Sequence, residues 1–387
     1  MNDVKRQWLS VGALAAGAFI FNTTEFIPIA LLSNIGASFA MPPTEVGVMI
    51  TVYAWIVALL SLPLMLATRK MERRRLLLVL FAAFVLFHAV SFFSESFSIL
   101  LASRVGIALT HAVFWSITAS LTVRIAPPGK GNQALGLLST GTVMAMVLGI
   151  PLGRMVGQYA SWQTSFLLIG ISAAAVMLVL AKTLPELPSV NSGSLSSLPT
   201  LFKRPKLMLL YAMAVLLVTA HFTVYSYIEP FVAEVGGFTP DQITVVLGLY
   251  GAAGFAASYI FGKWFAKFSK WFLLGSTAII IASVLVLRPI AEYVPLVYAV
   301  CFIWGTAIAV VSLGMVSKVL NFASDATDVA SSIYSGLYNM GIGGGALLGQ
   351  YLTRWFGLAN IGFAAMLVAA AALAVCLMLV KKEAQQA

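Results

Sequence analysis

Twelve stretches of mostly apolar residues follow one another along this chain, each near the ~20 residues that carry a helix across a bilayer. Their limits are 8–33, 46–66, 75–93, 98–124, 133–156, 163–182, 207–233, 242–263, 272–287, 293–318, 329–352 and 359–380. Hydrocarbon offers backbone groups no water, so a chain built from such runs must satisfy its own hydrogen bonds as helices. Only 9% of the residues are charged and the mean hydropathy is +0.97, against about 25% charged in soluble domains. The expected fold class is therefore an all-α integral membrane protein of twelve transmembrane helices.

A net charge of +10 would point to nucleic acid in a soluble chain, but here the basic residues fill short gaps between apolar runs. With the N-terminus inside, the inner intervals hold 19 of the 23 Lys and Arg residues, the outer ones only Arg288 and Arg354. Arg104 and Arg154 lie within spans. By the positive-inside rule both termini are expected in the cytoplasm, and no nucleic-acid partner is expected. Lys5 and Arg6 ahead of an apolar stretch also fit a signal peptide, but Asn22 to Glu25 interrupts that stretch and eleven further spans follow. Cys301 and Cys376 sit singly in apolar runs, so neither a metal site nor a disulfide framework is expected.

Pro185, Pro188, Pro199 and a Ser/Gly tract mark residues 183–206 as a linker, which divides the chain into six-helix bundles at 1–182 and 207–387. Each half carries a basic loop after its second helix, Arg69–Arg75 and Lys263–Lys270, a sign of an internal repeat. Two such halves with a midplane site between them form a transporter architecture.

The candidate functional residues are polar groups inside the spans, where each is costly unless it faces a cavity or a partner. Glu25 and Asn22 lie three apart on one helical face. A carboxyl that alternates between water and a dry cavity picks up and releases a proton, so Glu25 is the first proton-coupling candidate. Arg104, His111, Trp115 and Thr118 form one stripe of the fourth helix, and Arg104 there is expected to tune the acid. His221, Tyr225 and Glu229 repeat at four-residue steps, which makes His221 both a proton and a substrate candidate. His88 reads as structural, and Asp325 and Asp328 as caps of the eleventh helix. Asn22, Tyr53, His111, Trp115, His221, Tyr225, Tyr338 and Asn339 compose the expected substrate site. Gly149, Pro151, Gly153 and Arg154 pack and bend the fifth helix.

These runs resemble the major facilitator superfamily along the whole chain. Gly149-Ile150-Pro151-Leu152-Gly153 is similar to the antiporter motif of its exporters, Arg104 to the buried arginine of its fourth helix, and Arg73-Arg74-Arg75 to the basic end of its conserved loop. The loop departs from the family where its Gly and Asp are replaced within Met65–Lys70, and Glu72 is the available substitute. Phe19–Phe26, Phe114–Ser120, Tyr225–Phe231 and Asp325–Ala330 resemble the bacterial sugar efflux branch. That resemblance implies an antiporter of the inner membrane, and a monomer is the expected form. The antiporter would export small sugars such as arabinose, or thiogalactosides, against protons, with no cofactor beyond the proton gradient. Multidrug efflux is the alternative within transport, and a passive channel or membrane enzyme the alternative of another class.

Overall fold

The computed structural model describes residues 3–188 and 198–385, and every regular element among them is helical. The long helices are α1 (Asp3–Phe39), α2 (Pro43–Thr68), α3 (Arg73–Phe92), α4 (Phe97–Ile125), α5 (Gln133–Tyr159) and α6 (Trp162–Thr183). They continue with α7 (Pro205–Val235), α8 (Pro240–Phe265), α9 (Lys267–Val286), α10 (Val294–Phe322), α11 (Thr327–Phe356) and α12 (Leu358–Ala384). Eleven are long and apolar enough to cross a membrane. The twelfth, α11, spans 30 residues but is diluted by Gly, Ser, Tyr and Asn. The expected Ser/Gly tract of the linker, 189–197, lies outside the described residues.

Helix ends and breaks follow local chemistry. Ser96, Ser161 and Thr239 accept hydrogen bonds from first-turn amides, satisfying donors that a helix start leaves open. In α5 the backbone widens into a π turn over Ala145–Gly149 just ahead of Pro151. In α7 the first segment stops at Tyr225, and the chain turns through Ser226 and Tyr227 before Ile228–Pro230 and a second π turn at Phe231–Val235. Pro230 cannot donate to the Ser226 carbonyl, which removes the bond that would have carried the helix through. Glu229 is therefore not on one continuous face with His221 and Tyr225, as four-residue spacing had implied. Between α8 and α9 the expected loop is a bend at Phe268, where φ is −127° and ψ 30°.

Two compact units emerge from the packing: Met1–Ala40 with Leu59–Ser192, and Met41–Ala58 with Gly193–Ala387. The first part of α2 thus groups with the second unit, where Trp55 Nε1 donates to the Met340 carbonyl at 3.3 Å. Inside the first unit α1 packs on α5 and α6, while α3 packs on α4 and α6. Inside the second, α7 packs on α11 and α12, while the α8–α9 run packs on α10 and α12. The two sets of packed helices follow the same order of neighbours along the chain.

Small residues set the closest approaches. A Cβ at Gly141, Gly149, Gly153 or Gly157 of α5 would overlap Ala15, Thr23, Ile27 or Leu31 of α1. The partners rise together in constant register, so the two helices run parallel. Gly341, Gly345 and Gly349 of α11 meet Val218, Thr219 and Thr223 of α7 in the same way. Such seams let backbones touch where no hydrophobic force drives helices together.

The loop ahead of α3 answers the question of the missing motif aspartate. Glu72 caps α3 by accepting from the amides of Arg74 and Arg75, and it accepts from the Leu187 amide at 2.6 Å. Arg73 N donates back to the Leu187 carbonyl at 2.9 Å, and Arg124 holds the Pro188 carbonyl at 2.6 Å. Burial opposes the charge of Glu72, but the three amides outweigh it and hold the carboxyl below its usual range. At α11 the expected cap by Asp325 is corrected. The residue at the cap position is Ala326, without a side-chain bond, and Asp325 instead forms a paired contact with Arg204 at 2.6 Å on both oxygens. The Asp328 side chain lies outside the described residues.

Candidate functional site

The polar stretch of α1 is organised by a proline. Pro28 has no amide proton, so the Thr24 carbonyl four residues earlier lacks its helical donor. Arg104 from α4 takes that place: its Nη1 donates to the Thr24 carbonyl at 2.8 Å and to Thr24 Oγ1 at 3.2 Å. A second partner fixes the direction of the next bond. His88 Nδ1 lies 2.8 Å from the Phe84 carbonyl, which only accepts, so Nδ1 carries the proton. Nε2 is then left to accept from Thr24 Oγ1 at 2.8 Å. Arginine, threonine and histidine form one directed chain, with all three residues fully buried. The Phe166 ring lies 5.9 Å from the guanidinium carbon, and Phe21 stacks on Phe114 at 4.0 Å beside the chain.

Glu25 follows Thr24 and turns toward α4. Its Oε2 stands 3.6 Å from His111 Nε2, with only 9% and 3% of the two side chains exposed. His111 also hydrogen-bonds the Phe21 backbone, and its ring lies 6.2 Å from that of Trp115. Arg104 is the charged neighbour of both Glu25 and His111. A proton can therefore move onto or off the Glu25–His111 pair beside a fixed positive charge. Asn22, one turn before Glu25, is 7% exposed and keeps its Nδ2 buried with no partner among the described residues. An unsatisfied donor of this kind costs about 1–3 kcal/mol, which a polar ligand reaching it would recover.

The second unit holds a different cluster. His221 Nε2 pairs with Tyr250 Oη at 3.1 Å, and the His221 ring stacks on Tyr225 at 5.1 Å. Tyr250 stacks on Tyr225 at 4.2 Å, while Trp304 closes the box edge-on to all three rings. His221 Nδ1 and Trp304 Nε1 are buried without partners among the described residues. Tyr338 Oη lies 3.3 Å from Ser312 Oγ, and Asn339 Nδ2 donates to the Ser335 carbonyl. Tyr53 is 1% exposed and belongs to this unit by its packing.

The structure thus brings Asn22, Glu25, Arg104, His111 and Trp115 together in one unit and His221 with Tyr225 in the other. Gly149 and Gly153 lie on the α1 seam, Pro151 follows the π turn, and Arg154 Nη1 donates to the Ala30 carbonyl of α1. Sequence reasoning missed Thr24, Tyr250 and Trp304, and it left His88 apart from Arg104. Thr24 was legible as the residue four before Pro28. Tyr250 and Trp304 had no such signal, because single aromatics in apolar helices are ordinary core residues.

Comparison with known proteins bears on what this arrangement serves. The family model described as Major Facilitator Superfamily matches residues 14–334. A protein of Mannheimia succiniciproducens described as a probable sugar efflux transporter is 50% identical over 357 residues, covering 92% of this chain and 90% of its own. A crystal structure of a bacterial homolog of the human lysosomal transporter Spinster, inward-facing and unoccupied, superposes with a TM-score of 0.72 at 15% identity. It covers 98% of this chain and 95% of its own. The occupied form of that homolog gives 0.71 at 16% identity, covering 98% of both chains. These two structures bear on the fold alone.

Proposed function

Because the chain belongs to the major facilitator superfamily, and is thus a membrane transporter rather than an enzyme, we propose that it exports small sugars and glycosides in exchange for protons. Arabinose and isopropyl thiogalactoside-like glycosides are the proposed substrates, the bacterial inner membrane the proposed site, and a monomer with both termini cytoplasmic the proposed form. The half-identical relative, itself described as a probable sugar efflux transporter, supports the substrate class. One observation carries the coupling: Glu25 Oε2 at 3.6 Å from His111 Nε2, beside Arg104.

In this reading the proton rides on the Glu25–His111 pair. Protonation removes the carboxylate that attracts Arg104, and release restores it, so proton occupancy changes how firmly α1 and α4 are held. His221, expected from its pKa range to compete as a proton carrier, is faced by aromatic rings, and its role here is toward the sugar. In the second unit, Tyr225 and Tyr250 supply aromatic rings for the C–H face of a sugar, and the open donor of Trp304 a hydrogen bond to a hydroxyl. In the first unit, taken by itself, the open donor of Asn22 is a further polar group for a hydroxyl. Six-helix bundles at 1–182 and 207–387 would expose these groups alternately to the two sides.

Inverted membrane vesicles acidified inside test the proposal. Labelled arabinose is expected to accumulate against its gradient in step with the imposed proton gradient. Gradient-independent equilibration would point to a passive path, and accumulation of a lipophilic cation without arabinose would assign the chain to drug efflux. Glu25→Gln is expected to bind arabinose but lose acceleration by the gradient, and undiminished acceleration would remove Glu25 from the coupling.

A further inference from the structure

The α8–α9 run has a feature unrelated to sugar or proton. Between Gln242 and Leu287 the sequence contains Lys263, Lys267 and Lys270 and no acidic residue, so the bend joining the two helices is purely cationic. Aromatic rings alternate with these lysines. Lys263 Nζ lies 5.5 Å from the Tyr259 ring and 4.9 Å from that of Trp264, and Lys267 Nζ lies 5.2 Å from that of Phe268. Neither Lys263 nor Lys267 has an ion-pair partner among the described residues. Trp271 and Tyr259 are 71% and 64% exposed, placing large amphipathic rings at the edge of an apolar helix pair.

Beside this bend runs a groove of about 380 Å³ between α8, α9 and α10. Its walls include Ala256 and Ile260 of α8, Trp271 and Gly275 of α9, and Phe302 and Thr306 of α10. Small residues at Ala256 and Gly275 leave the channel open. Lys263 follows Ile260 by three positions on the same helical face, and Lys267 sits in the bend next to Phe268, four positions before Trp271 in sequence. Segment 261–270 therefore links the two walls at the basic end of the groove.

We infer that this groove is a binding site for one anionic phospholipid, with an acyl chain in the apolar channel and the headgroup phosphate at Lys263 and Lys267. Ordinary bilayer lipid covers any apolar helix face without regard to headgroup. Here two lysines with no ion-pair partner among the described residues, Lys263 donating only to Tyr259 Oη at 3.3 Å, lie in the bend that joins the walls of the groove. Trp271, a ring of the kind that anchors at the headgroup level, lines it. A zwitterionic lipid would fill the channel equally well but would bring its own cation to the lysines. Headgroup charge is therefore what the site selects.

The test uses the full chain, delipidated in neutral detergent and titrated with phosphatidylglycerol or phosphatidylcholine, bound lipid being counted by native mass spectrometry. The wild-type protein is expected to retain phosphatidylglycerol about tenfold more tightly. The double variant Lys263→Gln/Lys267→Gln is expected to lose most of that preference while still binding either lipid. Lys381→Gln/Lys382→Gln, which removes the same net charge elsewhere, is expected to keep it. Thr306→Trp, which obstructs the groove, is expected to release both lipids while glycerophosphoglycerol, which lacks acyl chains, binds poorly throughout. Equal retention of the two lipids by the wild type, an equal loss in both lysine pairs, or tight binding of glycerophosphoglycerol would each overturn the assignment.

Discussion

Thr24 shows how much one hydroxyl can organise inside a membrane protein. It accepts from Arg104 and donates to His88, while its carbonyl, left open by Pro28, takes the second Arg104 bond. Thr24→Val keeps the shape and the carbonyl but removes both hydroxyl bonds, leaving His88 Nε2 buried and unsatisfied. A loss of about 1–3 kcal/mol is expected, read as a lowered thermal unfolding temperature of the purified protein. The pH profile of the proposed sugar transport should shift as well, because Arg104 is the charged neighbour of Glu25. A stability loss with an unmoved profile would make the chain purely structural.

Asp325 offers a pH test outside the membrane. Its hydrogen bonds from Arg204 hold the carboxyl down at about 2. A carboxyl lowered in the folded state adds stability above its unfolded pKa and loses it as pH falls through the folded value. Asp325→Asn should therefore unfold at a lower temperature than the parent at about pH 6, with the difference shrinking as pH falls from about 4 toward 2. A difference constant over that window would show that the ion pair contributes nothing.

At the scale of elements, glycine spacing decides which helices run side by side. The α1–α5 seam aligns Gly141, Gly149, Gly153 and Gly157 with Ala15, Thr23, Ile27 and Leu31, and the α7–α11 seam repeats the arrangement. A side chain at Gly149 would meet Thr23, immediately before the threonine that holds Arg104. Gly149→Val is expected to cost about 1–3 kcal/mol by overpacking and to reduce transport along with stability. Gly12→Ala, with nothing within 4 Å of the added carbon, should leave unfolding temperature and transport near the parent. Equal tolerance at both sites would rule out the seam as a close contact.

For the whole molecule, the distribution of Lys and Arg predicts that both termini face the cytoplasm. Reporter domains fused at either end, one active only in the cytoplasm and one only outside it, check this: activity of the outside reporter at either end would reverse the topology. The expected six-plus-six division rested on the linker and on the matching basic loops. The sequence did not foretell that the first part of α2 groups with the second unit, since hydropathy records the length of a span and not its neighbours.

By itself the sequence determined that this is a twelve-helix membrane transporter, because hydrocarbon leaves long apolar runs no alternative to helices and polar groups inside them are costly. It also marked Glu25, Arg104 and His111, since charge in a span stands out in any reading. Only the tertiary structure decided partners. Lys318, which counted as a loop cation, lies buried against Glu383 of α12 at 2.6 Å, and Asp325 pairs with Arg204 instead of capping. Tyr250 and Trp304 joined His221 from helices 29 and 83 residues away along the chain. Such pairings depend on which faces meet after the helices pack, and helical periodicity fixes the faces of each element without saying which of them will touch.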